Sequence, residues 1–392
     1  MSDRNLPLPV SGPVHGLAHQ ARRDRLAQSI AQLANHEAAL VVAYAGQEIL
    51  RNRDNPFPFR SDSNFFFLTG FPEPDAWLVM LVAADGSHID HLYCRSRDPA
   101  KEIWDGIRVG PERAAEQFYM DQAHSLQSLE SDLPGLMKDR TLLVAPLGRM
   151  TAAEQRIAQC LNLARSQARA GTQAPGQWLD LDQVVGPLRQ IKDAHELATM
   201  QQAANIAAAG HVQAMKATAA GRAEYEIEAV LLAQFRRHGA QSVAYGSIVA
   251  SGPHSCILHH RAGDRVLQNG DMLLIDAGCE LDNYASDITR SFPVNGRFTQ
   301  AQRDVYQVVL AAQQASIEAT RPGAAFSAPH QAAVRVLTQG MLDLKLLPAQ
   351  SLEAAIESGA YQQFYMHRTG HWLGLDVHDI GDYRQPLTPG QV

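Results

Sequence analysis

"IDAGCELDNYASDITRSF", residues 275–292, decides the fold of the C-terminal half. Asp276 follows the apolar run Met272-Leu273-Leu274-Ile275, and Asp287 precedes Ile288, so two acids eleven residues apart sit in segments that otherwise read as buried strand. "ELDN" is turn-forming, which makes the stretch a β-hairpin. With its centre between Leu281 and Asp282, Asp276 falls directly opposite Asp287 on one face. Opposed Cβ atoms lie about 4.5–5.5 Å apart, where like charges repel. Such a pair persists by sharing a proton, facing bulk water or holding a cation. Leu274, Ile275 and Ile288 argue against bulk water. The Asp-Thr/Ser-Gly turn of a proton-sharing protease pair is absent, and glycosidase carboxylates usually come from separate strands. A metal pair, with ions about 3.5–4 Å apart, fits the spacing best.

Histidines strengthen the metal reading. "MHRTGHWLGLDVHDIG" supplies His367, His371 and His378, and "SCILHH" supplies His259 and His260. Any one of these alone reads as a hydrogen-bonding core or surface residue. His367 and His371 are four apart, but Arg368 stands where a zincin has Glu, and Gly370 weakens a helix. The segment "HWLGLDVH" reads better as β-structure.

Around this core the chain is organised in two parts. In the first, strand-like runs at 38–44, 76–83, 88–94 and 141–145 alternate with helical stretches at 112–119 and 150–168, which predicts an α/β domain. Residues 1–16 read as a loose arm. The stretch after it has helical spacing at Leu17, Ala21, Leu26, Ile30 and Leu33, with Arg22, Arg23 and Arg25 on a solvated face. "AGTQAPGQW", residues 170–178, reads as a linker and gives domains 1–175 and 176–392. Beyond it, Asp193 is a plausible N-cap for a helix with an apolar stripe at Leu197, Met200, Ala204, Ala208, His211 and Met215, where His211 reads as a core residue. A second helix ends at Gly239. Strands over 243–292 and helices over 299–320 and 326–344 complete an α+β domain with an antiparallel sheet.

Composition sets limits. Of 392 residues, 45% are hydrophobic and 19% charged, so the chain is globular. A net charge of −7 without a Lys/Arg cluster argues against nucleic-acid binding. Apolar runs of about eight residues are too short to span a membrane. The N-terminus lacks a secretory signal pattern, and four dispersed cysteines read as free thiols, so a cytoplasmic protein is expected.

Three segments together resemble one family. "SGPHSCILHH" (251–260), "LLIDAGCELDNYASDITRSFPVNGRFTQAQRDVYQVVL" (273–310) and "MHRTGHWLGLDVHDIG" (366–381) are similar to the bacterial aminopeptidase P (Xaa-Pro aminopeptidase) branch of the pita-bread metallopeptidases. "FRSDSNFFFLTGFPEPDAWLV" (59–79) and "EIWDG" (102–106) resemble that family's creatinase-like first domain. The resemblance implies an α/β creatinase-like domain followed by a pita-bread domain with a curved antiparallel sheet. It implies that Asp276 chelates one of two Mn²⁺ ions, Asp287 bridges both and His371 binds the other. It gives His259, His367 and His378 catalytic roles in binding substrate and stabilising the tetrahedral intermediate. The implied reaction is attack by a metal-activated hydroxide on the bond before a proline at position two. Homodimers or homotetramers are implied, with the region of Trp104 reaching a neighbour's active site. Prolidase, which cleaves dipeptides, and a non-catalytic peptide-binding module are the alternatives. Two further glutamate ligands of the family, one just after its Pro-Gly turn, have no match in "LTPGQV" or beyond. The expectation is therefore a domain incomplete at its C-terminus, with weak metal binding and little activity in the chain as given.

Overall fold

In this computed structural model, residues 14–167 and 171–392 are described, and they form two compact units divided between Arg189 and Gln190. The arm expected over residues 1–16 lies, through residue 13, outside the described residues. The linker expected at 170–178 is part of the first unit: Gln177–Asp180 is a strand of its sheet, and helix Leu181–Gln190 follows. The Gly and Pro there mark a strand entry, not a domain break.

The first unit is α/β, as its alternating pattern predicts. Its six-stranded mixed sheet runs in the order Gln122–Ser125, His88–Cys94, Trp77–Val82, Ala39–Tyr44, Leu142–Ala145, Gln177–Asp180. The central strand Ala39–Tyr44 is buried throughout, which explains its unbroken apolar run. It pairs antiparallel with Trp77–Val82 and parallel with Leu142–Ala145.

The first helix, Val14–Leu33, corrects the expected face. Leu17 and Leu33 are exposed and Ala21 faces solvent, whereas His19, Arg22, Arg23, Leu26, Ala27, Ile30 and Ala31 are buried at helical spacing. Arg22 and Arg23 are fully buried, and both guanidiniums reach acceptors there. Arg22 donates to Phe67 O at 3.3 Å; Arg23 donates to Leu68 O at 2.7 Å and pairs with Asp90 at 2.5 Å. Those carbonyls belong to the end of helix Ser63–Thr69, where four C=O groups lack intrahelical partners. Only Arg25 of the three stays exposed.

The second unit is α+β with antiparallel strands. Helix Ala194–Ala217 starts at Asp193 with a reciprocal capping box to Glu196, as expected. Its buried stripe is Met200, Ala203, Ala207, His211 and Ala214, while Leu197 and Met215 are substantially exposed and Ala208 faces solvent. Small residues take the inner face because helix Glu224–Arg237 approaches closely: a Cβ on Gly210 would meet the Phe235 ring at 2.7 Å. His211 is a buried core histidine, with Nε2 3.1 Å from Ala277 O and burial holding its pKa below the usual value. Helices Gln300–Ala319 and Ala328–Asp343 pack together downstream.

Two three-stranded sheets frame the aspartates, with Asp276 ending one strand and Asp287 between Tyr284–Ala285 and Thr289–Pro293. Met272–Asp276 lies between Ile248–Ser251 and Thr289–Pro293, and Cys279–Leu281 lies between Tyr284–Ala285 and Ser242–Val243. The β-structure expected in "HWLGLDVH" is absent: a strand needs a ladder of partners, and Gly374 O accepting from Ala285 N–H at 2.8 Å is an isolated link to the strands.

Candidate metal and peptide site

The hairpin turns one residue later than the sequence arithmetic placed it. Leu281 pairs with Tyr284, and Asp282 and Asn283 both have positive φ (47° and 64°). That is the signature of a two-residue type I′ turn, which Asp and Asn tolerate. The same register runs into the next ladder and sets Asp276 against Thr289. Asp287 therefore stands two residues off, diagonal to Asp276 on the same face, with Gly278 opposite it. Backbones nearly touch there: a Cβ on Gly278 would sit 1.6 Å from Ser286 O. The expectation of directly opposed acids is corrected to a diagonal pair.

The pair is nevertheless in contact through Tyr245, whose hydroxyl is 2.8 Å from Asp287 Oδ1 and also hydrogen-bonds Asp276 Oδ1. The sequence reading missed Tyr245. It lies just before Ile248–Ser251, where the pairing with the hairpin slips by two residues between Ser242–Val243 and Ile248. Such an irregularity re-aims a side chain, here onto the acids.

His371 Nε2 approaches Asp287 Oδ2 at 3.2 Å, and its Nδ1 is 2.9 Å from Trp372 O. His378 stacks edge-on against His371, with centroids 4.2 Å apart. A cavity of about 1040 Å³ opens beside His371, lined in part by Phe326, His330, Trp372 and Tyr383. Asp276, Asp287, His371, His378 and Tyr245 are thus one cluster. His259 and His367 are exposed; His367 Nδ1 turns to Arg368 O at 2.7 Å.

The neighbouring groups shift the titration of each member of the cluster. Burial raises the pKa of Asp276, and the Asp287 charge adds to this against hydrogen bonds from Tyr245 and Thr289. Burial also acts on Asp287, but hydrogen bonds from His371 and Tyr245 outweigh it and hold the carboxyl below the usual range. The bond to Asp287 raises His371, and burial with two flanking carboxylates drives the Tyr245 phenol far up. The two carboxyls are thus pushed in opposite directions by their neighbours.

The donor set fits a divalent ion. Two carboxylates and one imidazole suit Mn²⁺-class ions better than thiolate ligation would. A His Nδ1 tied to a backbone carbonyl fixes the tautomer that leaves Nε2 for a metal, and this is the arrangement of His371.

Comparison with known proteins identifies the scaffold. Residues 198–392 match metallopeptidase family M24, and residues 19–144 match the aminopeptidase P N-terminal domain. The chain is 41% identical over 363 residues to the Xaa-Pro aminopeptidase of Haemophilus influenzae, covering 92% of this chain and 81% of that protein. It is 37% identical to the Xaa-Pro aminopeptidase of Escherichia coli, covering 95% and 84%. The aminopeptidase structure from Pseudomonas aeruginosa superposes with a TM-score of 0.92 at 40% identity, over 98% of this chain and 86% of that one. The fold is therefore an aminopeptidase P N-terminal domain followed by a pita-bread domain with antiparallel sheets, and the family implies a divalent metal cofactor. The chain belongs to the Xaa-Pro aminopeptidase (aminopeptidase P) family of M24 metallopeptidases.

Proposed function

We propose that this protein hydrolyses the N-terminal Xaa-Pro bond of peptides with two Mn²⁺ ions, and that Asp276, Asp287 and His371 are its ligands within residues 1–392. The observation that carries the reading is the convergence of Tyr245 and His371 on the two aspartates. A divalent pair at such a site lowers the pKa of a bound water so that hydroxide is available near neutral pH. The protein's own groups do the rest. Asp276 and Asp287 supply anionic ligands, with Tyr245 fixing their rotamers. His371 presents Nε2, held by Trp372 O. His378, packed on His371, can donate to a developing oxyanion, and the family resemblance gives the exposed His259 and His367 the same role. A tertiary Xaa-Pro amide lacks the N–H that a protease usually contacts, so recognition rests on ring shape and donors to carbonyl oxygens.

A homo-oligomer belongs to the same reading. Ile103, Trp104 and Ile107 are 81%, 85% and 76% exposed around helix Pro99–Asp105, an apolar patch of the kind that marks an interface. Four free cysteines accord with action in the reducing cytoplasm. No helix among the described residues is long and apolar enough to cross a membrane.

The test compares Xaa-Pro-Xaa with Xaa-Ala-Xaa tripeptides at excess Mn²⁺. In a chain that turns over such tripeptides, metal-dependent turnover confined to the proline substrate is expected. Equal turnover of both removes the specificity claim, and cleavage of Xaa-Pro dipeptides alone supports a prolidase.

A further inference from the structure

Glu224, His254 and His260 form a second cluster whose side chains the proposed reaction does not use. Glu224 opens helix Glu224–Arg237 and its carboxylate is fully buried. His254 Nδ1 is 3.0 Å from Glu224 Oε1, and His260 Nε2 is 2.7 Å from Glu224 Oε2. The two rings overlap with centroids 4.3 Å apart. One ligand atom from each residue lies within 4.8 Å of the other two.

We propose that these three residues bind a transition-metal dication of the zinc class. Zinc takes His N at about 2.0–2.1 Å and carboxylate O at about 2.0–2.2 Å, which puts tetrahedral ligand atoms about 3.3 Å apart. The N···O separations here are a few tenths of an ångström shorter, so small side-chain rotations open the site. Two imidazoles and one carboxylate match zinc chemistry better than the oxygen-rich set that Mg²⁺ or Ca²⁺ requires. The carboxylate is braced independently of the histidines. Ser251 N–H and Oγ–H each donate to Oε1 at 2.8 Å, and Gly263 N–H donates to Oε2 at 3.2 Å. Such bracing orients a metal ligand. Two imidazoles added to an acceptor already holding three donors are more than a buried carboxylate needs for satisfaction. The His254 side chain is 36% exposed and that of His260 12%, which gives an ion a route in and a free coordination position toward solvent.

This site is separate from the aspartate pair. Ser251, which contacts Glu224, pairs with Leu273, while Ile248 pairs with Asp276. Three residues of strand put the two sites about 10 Å apart. The turn that the ion would close runs from Gly252 through His260 and includes His259.

Zinc binding is measured by competition with a chromogenic chelator, on the D276N/D287N variant so that the aspartate pair does not contribute. One zinc per chain is expected, and adding H254A should weaken it by more than about 100-fold, beyond what loss of an orienting partner alone costs. No zinc bound by D276N/D287N, or unchanged affinity after adding H254A, overturns the proposal. Zinc-edge anomalous diffraction of zinc-soaked wild-type crystals gives a readout that does not depend on any variant folding. A peak in bonding contact with His254 Nδ1 and His260 Nε2 supports the site, and its absence there overturns it.

Discussion

The Tyr245 hydroxyl stands 2.8 Å from Asp287 Oδ1 and also hydrogen-bonds Asp276, so one phenol spans both acids of the candidate metal site. Tyr245→Phe removes that hydroxyl and little volume. Loss of a group that orients metal ligands typically costs about 10–100-fold in affinity, and Mn²⁺ titration of Y245F should show a loss in that range. Unchanged affinity would mean that the phenol only packs the site.

His259, His367 and His378 are predicted to act on the transition state. In a chain that turns over Xaa-Pro-Xaa, replacing each by Ala should lower kcat by about 10²–10³ with a smaller change in KM, as for loss of an oxyanion donor. If these histidines only pack the site, thermal stability falls and kcat stays near wild type.

Away from the site, His88 ties the first helix to the sheet, 2.8 Å from Asp90 Oδ1 and 2.9 Å from Asp24 Oδ1. Its bond to Asp90 raises the His88 pKa. Burial acts to raise Asp90, but His88 and Arg23 outweigh it and hold that carboxyl below its usual value. A raised histidine contributes stability that is complete below about pH 6.5 and is lost as pH rises through the folded value. A lowered aspartate contributes above about pH 3.9 and loses its contribution as pH falls through its own folded value. The Tm deficit of His88→Ala should therefore be largest between about pH 4 and 6.5 and shrink in alkaline buffer. A deficit independent of pH would contradict this account.

The proposed ligands Asp276, Asp287 and His371 would bring −2 against the +4 of two dications, and hard cations prefer more oxygen ligands than these. Calorimetry of this chain should show weak Mn²⁺ binding. Tight uptake of two ions would mean that other side chains complete the set.

Much of this architecture was legible in the sequence because local pattern and tertiary role agree. The strands Ala39–Tyr44 and Trp77–Val82 are short apolar runs bounded by turn residues, and Asp193 with Glu196 announces its helix. What was not legible depends on partners distant in sequence. Arg22 and Arg23 are buried because carbonyls more than forty residues away receive them, and no periodicity encodes that. The hairpin register hinged on Asp282 and Asn283 both taking positive φ, a turn chemistry that shifts every pairing by one residue per strand. Tyr245 was hidden by a register slip. Its signal was an aromatic flanking a strand that pairs with the acid-bearing one.

The most direct test of the account is anomalous diffraction from crystals of this chain soaked in excess Mn²⁺. The account predicts density within about 2.0–2.6 Å of carboxylate oxygens of both Asp276 and Asp287, or of Asp287 and His371 Nε2, the range expected for such ligands. Manganese found only elsewhere, with Tyr245 and His371 still closed on the aspartates, would contradict it.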